Sequence, residues 1–67
     1  MVQVLRVCNI NSHKDVANIR NAISNNEGVL ACQIDKTTGK VEVAYDKKFT
    51  NIEKIIESIE EYGYTVI

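Results

Sequence analysis

The densest set of chemically capable side chains in the sequence is Ser12-His13-Lys14-Asp15, with Cys8 shortly before it. Thiol, imidazole and carboxylate are all metal ligands, and a site built on His13 and Asp15 would suit Zn(II) or Ni(II). Zinc, however, takes four protein ligands, or three and a water, and Lys14 adds a positive charge beside the donors. The same residues also read as a helix start. Ser12-x-x-Asp15 ahead of an apolar stripe is a capping box, and a first-turn carboxylate sits favourably on the helix dipole. Capping alone accounts for both residue types and is the preferred reading, with weak transition-metal binding through His13, Asp15 and Cys8 as the alternative. Cys8 otherwise serves as a small apolar strand residue, and its activation as a thiolate would need a helix N-terminus close by. The single His stands in no recognised nucleophile–base pattern, so no enzyme activity is expected.

These residues need elements to hold them. Val2–Cys8 is short and β-branched, as a strand is. Val16, Ile19 and Ile23, widened by Ala22, mark one face of a helix, stopped at Asn25-Asn26-Glu27-Gly28 by residues that accept left-handed backbone. Leu30, Cys32 and Ile34 alternate as the inner face of a strand, Lys36–Gly39 is a turn, and Val41, Val43 and Tyr45 alternate on the return. Thr50-x-x-Glu53 reads as a second capping box before Ile52, Ile55, Ile56 and Ile59, a second amphipathic helix ended by Gly63. Tyr64–Ile67 supplies a last short strand. The order β-α-β-β-α-β predicts a ferredoxin-like α+β sandwich, with an antiparallel sheet in strand order 4-1-3-2 and both helices on one face. The expected core sets Val16, Ile19, Ile23, Ile52, Ile55, Ile56 and Ile59 against Leu5, Val7, Leu30, Cys32, Ile34, Val41 and Val43. Cys8 and Cys32 then lie on separated strands with opposite facing and stay reduced.

Composition narrows the function classes. The chain has 67 residues, 45% hydrophobic and 25% charged, with a net charge of -1. This is one globular domain, residues 1–67, and not a disordered chain. There is no global basic field for nucleic acid or anionic lipid. Two Cys are too few for a disulfide framework or a site of four thiolates. No apolar run approaches a membrane span and no signal-peptide core follows the first Met, so a cytoplasmic setting is expected.

Taken end to end, the chain resembles the heavy-metal-associated domain, the fold of copper chaperones and of the N-terminal metal-binding domains of copper-transporting ATPases. The residues that carry the likeness are Leu5-x-Val7, Ile10, Val16, Ile19, Ala22, Ile23, Gly28-Val29, Ile34-Asp35, Val41-x-Val43-x-Tyr45-Asp46, Ile52, Ile56, Ile59 and Gly63-Tyr64-x-Val66. The family motif Gly-Met-x-Cys-x-x-Cys falls on Asn9-Ile10-Asn11-Ser12-His13-Lys14-Asp15. Ser12 and Asp15 thus stand where the two Cys would be, and Ile10 stands at the Met. The resemblance further implies that Tyr64, at a position often aromatic, flanks this loop. Here it is expected to cap the core with its hydroxyl towards solvent. It links the chain to metal binding and trafficking, but a hydroxyl and a hard carboxylate do not replace two soft thiolates for Cu(I). No resident cofactor is expected.

From Phe49 onward there are four acidic residues, Glu53, Glu57, Glu60 and Glu61, against one basic, Lys54. In chaperone-type families charged helix faces guide docking, and complementary charge raises on-rates. This face is the expected site for a protein partner. Two functions stay open: a metal-trafficking module with a changed metal loop, and a protein-interaction module without metal on the same fold. An RNA-recognition motif is a poorer match, because Lys40, Glu42 and Ala44, outward on the third strand, include no stacking ring, and no nucleic-acid partner is expected.

Overall fold

The computed structural model describes residues 1–67. The chain runs β1 (Val2–Cys8), α1 (His13–Ser24), β2 (Val29–Ile34), β3 (Lys40–Tyr45), α2 (Ile52–Glu61) and β4 (Thr65–Val66). The strands form one sheet in the order β2-β3-β1-β4, all pairs antiparallel. This is the predicted ferredoxin-like arrangement read from the opposite edge.

Strand alternation and helix period meet in one core. Val7, Val41, Val43 and Tyr45 from the sheet pack with Ile19, Ala22, Ile23, Ile55 and Ile59 from the helices, and Ile10 closes the loop end. Leu5, Val16, Cys32, Ile34 and Ile52 are partly buried against this cluster. Leu30 corrects the expected core. The β2–β3 register slips between Val29 and Ala31, so that Val29 faces Tyr45, Ala31 faces Ala44 and Leu30 is the extra residue of a bulge. Val29 takes the inward place, and Leu30 is left 73% exposed. Ile56 is half-buried rather than central, since Ile55 and Ile59 take the fully covered positions of α2.

Helix ends also differ from expectation in instructive ways. The α1 box is present in full, with Ser12 as N-cap and Asp15 at the third position. The second box is absent. Asn51, not Thr50, caps α2, its Oδ1 accepting the Lys54 N–H at 2.9 Å. Thr50 turns inward and is 5% exposed, its Oγ1 unpaired. At the end of α1, Asn25 keeps right-handed backbone. Termination falls instead to the Asn26 side chain, which donates to the carbonyls of Ala22 and Ile23 at 3.2 Å.

The turn before β3 needs its glycine. Gly39 has φ +77° and a Cβ there would lie 2.5 Å from the Val7 carbonyl oxygen. That close approach lets the Val7 N–H donate to the Gly39 carbonyl at 2.8 Å. Cys8 and Cys32 are both free and half-buried, with β3 between their strands.

Candidate functional site

The loop between β1 and α1 is shaped by two residues before any charged group enters. Asn9 adopts left-handed backbone at φ 68°, which Asn tolerates better than most residues. Ile10 then drops into the core, 8% exposed, and pins the loop to the sheet. Ser12 enters the helix in extended geometry, φ -146° and ψ 169°, with its Oγ accepting the Asp15 N–H at 3.3 Å.

Asp15 is the centre of the site. Its Oδ2 accepts the N–H groups of Asn11 and Ser12 at 3.0 and 3.2 Å, and the Ser12 hydroxyl at 3.2 Å. Its Oδ1 accepts the Tyr64 hydroxyl at 2.6 Å. Three of the four donors converge on Oδ2, more than its two lone pairs can serve equally, while Oδ1 takes Tyr64 alone. Tyr64 in turn accepts from the Asn18 side-chain amide at 3.2 Å. The Tyr64 hydroxyl, followed by the Asn11 amide, holds the Asp15 carboxyl below its ordinary pKa, and the Asp15 carboxylate pushes the Tyr64 phenol up.

The structure therefore brings Ile10, Ser12, Asp15 and Tyr64 together at one end of the molecule, next to the end of α2. Tyr64 corrects the expectation of a hydroxyl turned to solvent, because its hydroxyl bridges to α1. His13 is exposed on the first turn of α1. Cys8 stands opposite Thr65 of β4, and strand alternation sends it to the face opposite buried Val7. Cys8, His13 and Asp15 do not converge, and nowhere do three or more His, Cys, Asp or Glu side chains gather with metal-ligand geometry. Ser12 and Asp15 offer only hard oxygen donors at this loop. Glu53, Glu57, Glu60 and Glu61 are all exposed on α2. Asn18 was not singled out by sequence reasoning. Its only advance signal is its place one turn after Asp15, on a helix whose start meets Tyr64, just ahead of β4.

Sequence and structure comparisons place this fold in a known setting. The heavy-metal-associated domain profile matches residues 4–65, and the chain belongs to that family. Comparison with curated protein sequences returns no match. Among solved structures, the chain is similar to the CopZ metallochaperone, with 24% identity over 100% of both chains and a TM-score of 0.96. It is similar to the putative copper-ion-binding protein from Bacillus anthracis str. Ames, with 25% identity over 100% of this chain and 94% of that one and a TM-score of 0.94. It is also similar to oxidized MerP from Ralstonia metallidurans CH34, with 22% identity, 100% and 93% coverage and a TM-score of 0.93. At the identities below 25%, the likeness speaks for the fold. No helix is long and apolar enough to cross a membrane.

Proposed function

We propose that residues 1–67 work as one non-catalytic domain in metal trafficking, as a protein-docking module whose first loop no longer captures Cu(I) through two thiolates. Family membership and the likeness to a metallochaperone support the general role. One observation carries the finer reading: Asp15 already accepts four hydrogen bonds from Asn11, Ser12 and Tyr64. In the family motif, Ser12 and Asp15 occupy the thiol positions. A metal at Oδ2 would displace the capping contacts and one at Oδ1 would compete with the Tyr64 cross-link, for one hard oxygen donor in return. The acidic face of α2, bearing Glu53, Glu57, Glu60 and Glu61, is the docking surface of this reading, with a basic protein face as its partner and the cytoplasm as its compartment. Any transition-metal binding through His13 or Cys8 is weak and needs no resident cofactor.

The test is a Cu(I) titration of the reduced protein followed by native mass spectrometry. The natural chain stays metal-free at Cu(I) levels that fill a two-thiol loop, and the Ser12→Cys, Asp15→Cys variant takes up one soft metal ion. Tight stoichiometric uptake by the natural chain, lost in His13→Ala or Cys8→Ser, would replace this reading with a rebuilt metal site. An inert double-Cys variant would instead show that the loop lacks the family's geometry.

A further inference from the structure

The two edges of the sheet are built differently. β4 is only two residues long and offers little ladder to a neighbour. β2 is six residues, Val29-Leu30-Ala31-Cys32-Gln33-Ile34, with no charge and no proline. It therefore lacks the Lys or Pro that commonly protects an edge strand. Its bulge sits at the start, and Ala31–Ile34 pair regularly with β3. The Asp35 N–H donates to the Lys40 carbonyl at 2.8 Å. Antiparallel alternation then turns the backbone groups of Gln33 and Ala31 towards β3 and leaves those of Cys32 and Ile34 on the open edge.

We propose that this edge pairs antiparallel with β2 of a second copy, joining two four-stranded sheets into one across a two-fold axis. The strand is complementary to itself. It carries no charge, so laying it against a copy creates no repulsion along its length. An axis through Cys32 matches the free backbone groups of each strand to those of the other, and sets Ala31 opposite Gln33 of the second copy. The flanks are complementary in charge. Glu27 precedes one end of β2 and Lys36 follows the other, both exposed, and antiparallel pairing brings each beside its opposite. Asp35, next to Lys36, is already engaged by the Thr37 and Thr38 amides at 2.9 and 3.3 Å. A single strand edge is a smaller contact than a stable dimer uses, so the association is weak and rises with concentration.

Sedimentation velocity on the whole chain from about 10 μM to about 1 mM, a range that spans weak association, reads this directly. A dimer should grow in with concentration, in the absence of metal. Ala31→Lys with Gln33→Lys places like charges opposite each other across the axis, at exposed positions that leave the core alone. The dimer should weaken about tenfold or more, with an unchanged circular dichroism spectrum. Mixing this variant with Ala31→Glu, Gln33→Glu should restore it as a mixed dimer. A monomer at every concentration overturns the proposal, as does a dimer indifferent to the lysines or a charge-swapped mixture that stays monomeric.

Discussion

Removing the Tyr64 hydroxyl takes away the shortest of the four bonds to Asp15. In Tyr64→Phe the Asp15 carboxyl should titrate closer to its ordinary value, followed by NMR of the side-chain carboxyl. An Asp15 titration identical in the variant and the natural chain would rule out the bridge in solution. The pH dependence has two limbs. Asp15 is depressed when folded, so its contribution is present above the unfolded carboxyl pKa of about 3.9 and fades as pH falls through the lower folded value. Tyr64 is raised when folded, so its contribution is present below the unfolded phenol pKa of about 10 and fades as pH rises through the higher folded value. Both limbs should flatten in Tyr64→Phe. Ser12→Ala removes the N-cap oxygen and should cost about 0.5–2 kcal/mol in urea unfolding; no measurable change would contradict the cap. Ser12 and Asp15 were legible in the sequence because a capping box is a local spacing. The Tyr64 bridge spans 49 residues, and no local pattern encodes a contact that tertiary packing decides.

At the level of elements, period alone could not rank Ile55 and Ile56, which both fit the apolar stripe of α2. The packing does. Ile55 is fully covered and Ile56 half-buried. Ile55→Ala should therefore cost about 2–5 kcal/mol and Ile56→Ala clearly less, measured side by side by chemical denaturation. Equal costs would mean that α2 is rotated on the sheet. The glycines make a second contrast. A Cβ at Gly39 meets the Val7 carbonyl, whereas at Gly63, φ +95°, it meets nothing within 4 Å. Gly63→Ala bears only backbone strain, and Gly39→Ala bears that strain and a backbone clash, so it should lower the thermal midpoint further. The six elements were legible because hydrophobic periodicity changes at each boundary. The β2 bulge was not, because Leu30 continues the alternation perfectly and only pairing with β3 shows the slip. Nor was the α2 cap, since Thr50 and Asn51 are both able caps and burial chooses between them.

The molecule as a whole is closed without metal: ten buried apolar residues form a single cluster from both layers, and no donor cluster ties the elements together. A strong chelator should leave the thermal midpoint of the reduced protein unchanged. A fall of about 4 °C or more, the size that 1 kcal/mol produces in a domain of this length, would indicate a native metal. The sheet order and the two-layer build were readable in advance, because right-handed crossovers leave few ways to arrange this element order. How the ends of the layers are tied together was not, since it rests on polar side chains reaching across the fold.

Those ties share a geometry. At its first turns α1 holds the connection between α2 and β4 through Asp15, Asn18 and Tyr64. Just past its last turn, Asn26 donates to the Ser58 hydroxyl of α2 at 3.1 Å. The helix is thus buckled at both ends to the C-terminal half of the chain, and neither end can fray without releasing a partner far away in sequence. Amide hydrogens of the first and last turns, normally the quickest to exchange with solvent, should exchange here together with those of α2 as one cooperative opening.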